Sequence, residues 1–185
     1  MARPRHAHRL ASHTPLAGLS RRAAGAFTLV EILIVVVIIG ILATVVIPQF
    51  TSASHQAREN TLKDDLRYLR NQVQVYTAQH LDVAPGFPPG NPGGSPSSTY
   101  FISQMTQPTN ASGATGAAGA AYPFGPYLSK VPANPVNGLD TIKVVTGAGM
   151  PTPDDSTGWI YNPQTRRIIA NIAANDAAGV PYVSY

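Results

Sequence analysis

From Ile32 to Phe50 the chain carries no charged residue: ILIVVVIIGILATVVIPQF. That is about the 20 residues a helix needs to cross a hydrocarbon core. A buried strand is shorter than this, and a core helix of a soluble domain would show a polar face. The run therefore reads as a membrane segment. Its flanks set the direction of crossing. Arg3, Arg5, Arg9, Arg21 and Arg22 all precede residue 27, and no acid does. Basic residues stay on the cytoplasmic side, which sends the C-terminal body across the membrane. The formal charge of +4 belongs to this leader, because the chain from Phe27 onward holds 8 basic and 9 acidic residues. A nucleic-acid function drawn from net charge thus loses its basis. Cys is absent, so no disulfide framework or thiolate chemistry is available. In a secretory signal the small residues follow the apolar stretch; here Gly25-Ala26 comes before it.

Glu31 stands at the start of the run, where an ionisable group beside an apolar phase is expensive and marks a candidate functional residue. An interfacial edge of the anchor is the alternative. Gly40 and Pro48 loosen the helix, and Pro48 removes an i to i−4 hydrogen bond. Beyond Pro48 the pattern becomes amphipathic: Leu62, Leu66, Leu69, Val73 and Tyr76 recur at spacings of three and four and make one apolar stripe. Glu59 and Lys63 are spaced for solvent-side pairing. The expected helix runs from about Phe27 to about His80, and Pro85, Gly86, Pro88 and Pro89 end it. A Gly/Pro/Ser-rich stretch follows, in which Tyr100, Phe101, Ile102 and Met105 form a short element docking on the stripe, and 110–121 reads as a flexible surface loop. Strands are expected at 141–145, 158–162 and 166–171, the last two joined by the turn Asn162-Pro163-Gln164-Thr165. Residues 181–185 form an edge strand or a tail. The fold class is α+β: a long N-terminal helix, half membrane segment and half amphipathic, packed on a small antiparallel sheet. The segments are a basic leader (1–26), an apolar half-helix (27–50), an amphipathic half-helix (51–84), a loop region (85–135) and a C-terminal sheet (136–185).

Gly25-Ala26-Phe27-Thr28-Leu29-Val30-Glu31-Ile32-Leu33-Ile34, with Gly40 and Pro48 after it, resembles the N-terminal motif of the type IV pilin and type II secretion pseudopilin superfamily. The resemblance implies a leader removed by a prepilin peptidase, methylation of the new N-terminus, Phe27 as first mature residue and Glu31 as fifth. Family members place Gly directly before the cut; here Ala26 intervenes. Cleavage after Ala26 keeps Glu31 in frame, and cleavage after Gly25 shifts it by one. The resemblance further implies that Glu31 neutralises the α-amine of a neighbouring Phe27 and sets register in a homo-oligomeric helical filament, with Gly40 and Pro48 letting the anchor bend. Tyr127-Leu128, Val131-Pro132 and Asn134-Pro135 resemble a segment of the major pseudopilin of type II secretion, although Val136-Asn137-Gly138 replaces a usual Trp-Gly.

The implied function is a structural subunit of a type II secretion pseudopilus, with a type IV pilus subunit for adhesion, motility or DNA uptake as the alternative. The implied partners are the prepilin peptidase, an inner-membrane assembly platform, minor pseudopilins and the lipid bilayer before assembly. The implied location is a single pass of the inner membrane with a cytoplasmic N-terminus and a periplasmic head, then a periplasmic filament. The pseudopilin that the chain resembles usually has an acidic calcium-binding loop near the C-terminus, so the resemblance implies one here. Asp154 and Asp155 are the local candidates, but the spacing is not reproduced, and Asp-Asp-Ser beside Pro151 and Pro153 reads as a solvated turn; no cofactor is expected, with calcium at this loop as the alternative. An enzyme is disfavoured: His55 and His80 lack metal-ligand spacing and read as interface or solvent residues, and Asp64 and Asp65 diverge on a helix. Arg166 and Arg167, taken as strand neighbours, place one side chain outward.

Overall fold

The computed structural model describes residues 26–185. The chain divides into two compact units, one ending at Thr44 and one spanning Val45–Tyr185. Helix α1 (Leu29–Gln79) begins in the first and ends in the second. Its N-terminal part is long and apolar enough to cross a membrane. The leader lies outside the described residues, apart from Ala26.

In the second unit the expected stripe is the core. Leu62, Leu66, Leu69, Val73 and Tyr76 are all buried, and they share one cluster with Phe101 and Met105 of α2 (Ser98–Thr106) and with Trp159 and Tyr161. Ser97 caps α2 by accepting the Tyr100 N–H at 3.2 Å. Tyr100 and Ile102 remain exposed, so only part of the expected apolar set docks. Burying a side chain of this size contributes about 1.5–3 kcal/mol, and a helix with one such stripe has its stability supplied by what it packs against.

Three strands form the sheet, β1 (Ile142–Val144), β2 (Trp159–Asn162) and β3 (Arg167–Ala170), in the order β1-β2-β3. The β2–β3 hairpin is antiparallel as expected, closed by Asn162 Oδ1, which accepts the Gln164 N–H at 3.0 Å. β1, however, runs parallel to β2, so the sheet is mixed rather than antiparallel. The connection explains this: 145–158 is long enough for a crossover, which parallel neighbours require.

The register puts Trp159, Tyr161, Ile168 and Ala170 on the face toward α1, and Lys143, Ile160 and Ile169 with Asn162 on the other. All four β2 residues are buried, so both faces are covered and not one. Asn162 Nδ2 donates to the carbonyls of Gly147 (2.8 Å) and Gly149 (3.1 Å), which holds the crossover loop on the second face. Gly158, where the loop enters β2, has no alternative: a Cβ there would lie 2.0 Å from the Leu139 carbonyl oxygen. The 110–121 loop is pinned by Asn110 Oδ1, which accepts from Ser112 and Ala114 amides. At the C-terminal end a 3-10 turn (Tyr182–Ser184) replaces the expected strand or tail, and Tyr182 is buried.

Candidate functional site

The N-terminal segment carries the residues singled out by the motif. Gly25 lies outside the described residues. Ala26, Phe27 and Thr28 precede α1 in irregular backbone, with Phe27 exposed. Thr28 Oγ1 accepts the Glu31 N–H at 3.2 Å, which makes Thr28 the N-cap and gives Thr28-Leu29-Val30-Glu31 the spacing of a capping box. The sequence signal for this role of Thr28 is Thr-x-x-Glu directly before an apolar run. Glu31 stands in the first turn of α1, where a carboxylate is favoured by the helix dipole. Among the described residues its carboxylate has no ion-pair partner.

From Leu29 to Phe50 every large apolar side chain is exposed, from 46% at Val35 to 82% at Leu29. A Cβ added at Gly40 would meet nothing within 4 Å, so among the described residues no contact demands glycine there. Pro48 lies inside α1. Thr44 Oγ1 and Thr51 Oγ1 turn back onto the carbonyls of Ile41 (2.7 Å) and Ile47 (3.1 Å), so neither hydroxyl adds a free polar group to the helix surface. An apolar cylinder with one carboxylate near its start has no binding chemistry for a small polar molecule. It can enter hydrocarbon or associate with other such cylinders.

On the head, several polar residues of α1 act differently from their sequence reading. Glu59 does not pair with Lys63. It is nearly buried, and its Oε1 accepts the Ala177 N–H at 3.0 Å, while the Lys63 ammonium lies 4.3 Å above the Tyr185 ring. Arg70 donates to the carbonyls of Ile168 (3.2 Å) and Tyr185 (2.5 Å). Asp176 accepts a short hydrogen bond from the Tyr185 hydroxyl, which holds its carboxyl below the usual carboxylate range. Residues 176–185 thus form a strap across the amphipathic part of α1.

His55 is exposed, but His80 is buried in the core rather than at an interface or in solvent. Its ring stacks on Tyr76 at 3.7 Å, its Nδ1 donates to the Tyr76 carbonyl at 2.7 Å, and its Nε2 accepts from Thr109 Oγ1 at 3.0 Å. Both Arg166 and Arg167 are exposed, because Arg166 occupies the left-handed turn (φ 56°) and not the strand. Arg166 bonds Asp82 Oδ2 at 2.7 Å and its carbonyl at 2.9 Å, tying the hairpin to the end of α1. That hydrogen bond holds the Asp82 carboxyl below its ordinary pKa.

Asp154 and Asp155 lie in the crossover loop and do not converge. Asp154 Oδ2 takes the Lys143 ammonium at 2.7 Å. Its Oδ1 accepts from Ser156 Oγ (2.6 Å), the Ser156 amide (3.2 Å) and Asn171 Nδ2 (2.7 Å). These bonds, Lys143 foremost, hold its carboxyl well below the carboxylate range. Asp155 turns away in a left-handed conformation and accepts the Ala173 N–H at 3.0 Å. Among the described residues no three His, Cys, Asp or Glu side chains cluster as a metal site would need.

Residues 21–47 match the family model described as a prokaryotic N-terminal methylation motif. The chain is 37% identical over 83 residues to the type II secretion system core protein G of Pseudomonas aeruginosa, a match covering 40% of this chain and 58% of that relative. The chain therefore spans less than two thirds of the curated relative's length. No solved structure gives a significant match. The apolar helix and the secretion relative fit a protein anchored in the inner membrane. The chain thus carries a prokaryotic N-terminal methylation motif, and its long helix with a small sheet is an α+β arrangement consistent with a pilin-like fold.

Proposed function

We propose that the chain is a structural, non-enzymatic subunit of a type II secretion pseudopilus, a helical filament that supports protein export. The observation that carries this reading is the exposed apolar stretch of α1 with Glu31 at its start, under a methylation motif. In the membrane, lipid covers these side chains, the N-terminus faces the cytoplasm and the head the periplasm. On assembly they leave lipid for the filament core. Little free energy changes hands in that exchange, since lipid tails and neighbouring helices are similarly apolar, so polar groups and close packing decide the geometry. A prepilin peptidase removes residues 1–26, the α-amine of Phe27 is methylated, and Glu31 pairs with that amine on a neighbour. Such a pair is worth little net stability in an apolar core, but removing one partner leaves a buried unpaired charge, costing about 3–5 kcal/mol. It therefore enforces register. Gly40 and Pro48 allow the helix to bend during insertion, and minor pseudopilins and an inner-membrane platform start and drive the assembly.

The test has two steps. Intact mass of the protein from its native membrane is expected to show loss of residues 1–26 and a methylated Phe27; an uncut chain sinks the reading. Glu31→Ala is then expected to leave membrane insertion intact while abolishing filaments and export. Fibres on the cell surface with undiminished export would instead assign the chain to a type IV pilus.

A further inference from the structure

The calcium loop implied by the resemblance meets a donor set that does not suit it. Calcium takes six to eight oxygen ligands, with carboxylates prominent among them. In the crossover loop both oxygens of Asp154 are already occupied by N–H and O–H donors, and the position facing Oδ2 is held by an ammonium. Asp155 spends its Oδ1 on the Ala173 amide. A divalent cation would have to displace Lys143 or sit against its positive charge.

We propose that Lys143 does in this head the fastening that a calcium ion would do, closing the 145–158 crossover loop over the second face of the sheet without any metal. The strand register supplies the geometry. Lys143 pairs with Ile160, and Ile160 with Ile169, so its side chain rises from the face that the loop covers. Asp154 comes down from the loop to meet it at 2.7 Å. Asn171 then locks the aspartate from below. It is fully buried, its Oδ1 accepts the Asp154 N–H at 2.8 Å, and its Nδ2 donates to Asp154 Oδ1 at 2.7 Å and to Thr157 Oγ1 at 2.9 Å. A buried amide with both ends used fixes one loop position, because any other leaves its polar atoms unpaired. At the other end of the loop, Gly147 is held separately by Gln164 Oε1 at 2.6 Å and by Asn162. The loop is therefore fastened at both ends, and at the Gly147 end by neutral groups alone.

Amide hydrogen exchange on the processed full-length chain in detergent tests this, read at Asp154 and Ser156, with Gly147 as internal reference. Millimolar calcium and excess EDTA are expected to give the same rates in the wild type. Lys143→Met is expected to speed exchange at Asp154 and Ser156 by about fivefold, the range of a half-exposed ion pair, while Gly147 keeps its protection. About 1 M salt should speed the wild type similarly and leave the variant unaffected. Calcium slowing wild-type exchange by more than about threefold, the protection a bound ligand gives, would overturn the proposal. So would Lys143→Met exchanging at the wild-type rate. Should the variant lose protection at Gly147 as well, it has unfolded, and the wild-type comparison of calcium with EDTA and of low with high salt decides alone.

Discussion

Tyr161→Phe is expected to stabilise the head. Tyr161 is fully buried, its ring tilted against Phe101 with centroids 4.7 Å apart, yet its hydroxyl has no hydrogen-bond partner among the described residues. Burial pushes the phenol's pKa up, so the group is neutral and the issue is desolvation, not charge. A buried hydroxyl stripped of water without compensation costs about 1–3 kcal/mol on the scale of protein substitutions. Phenylalanine keeps the ring and its contact with Phe101. The void left by one oxygen gives back part of the gain, leaving a net stabilisation of about 1 kcal/mol, or about 3 °C in Tm for a head of this size. Tyr127→Phe is the control of opposite sign. The Tyr127 hydroxyl donates to Gln79 Oε1 at 2.6 Å, so its removal is expected to cost about 1 kcal/mol. Both are read from denaturant midpoints of the full chain in detergent, followed by fluorescence of the buried Trp159. A loss of stability in Tyr161→Phe equal to that in Tyr127→Phe would refute the reasoning and point to an ordered water on the Tyr161 hydroxyl.

Two further perturbations follow from the polar contacts of α1. Burial lowers the His80 pKa from its ordinary 6.5 more than the bond to the Tyr76 carbonyl raises it. As pH falls the unfolded chain therefore takes up this proton first, so the stability His80 confers is whole above about 6.5 and is lost as pH drops through the lower folded-state pKa. Thermal melts between pH 7.5 and pH 5 should show this decline, and His80→Phe should flatten it; an unchanged slope would mean that another group sets it. Glu59→Ala removes the acceptor for the Ala177 amide and is expected to cost about 1–2 kcal/mol. It should also accelerate amide exchange across 176–185, whereas a drop in Tm with the strap still protected would place the role of Glu59 elsewhere.

What could be read from the sequence follows from the range of the interactions involved. The stripe of Leu62, Leu66, Leu69, Val73 and Tyr76 was visible because the period of a helix is local, and every member is buried. The β2–β3 hairpin was visible because Asn162-Pro163 marks a turn between two apolar runs. The parallel pairing of β1 was not, since a long connection permits either direction and the choice depends on what the crossover loop covers. The burial of His80 and Glu59 is hidden from the sequence for a related reason. Glu59 stands on α1 and His80 in the turn just past its end, where charge or spacing alone assigns them to solvent, and both are drawn inward by groups far along the chain: Thr109 for His80, Ala177 for Glu59.

The same comparison bears on the cleavage frame, where the motif leaves a choice between Gly25 and Ala26. Thr28 caps the helix, so a cut after Ala26 places the new ammonium on Phe27, immediately before the N-cap. A positive charge there opposes the helix dipole, which favours anions at this end. A carboxylate within the first turn offsets this, and Glu31 has that position. A cut after Gly25 moves the ammonium one residue away from the cap and weakens both effects together. The head carboxylates of Glu59, Asp82, Asp154 and Asp176 find partners within the chain, whereas the Glu31 carboxylate has none among the described residues. That asymmetry is what a residue reserved for a neighbouring subunit requires.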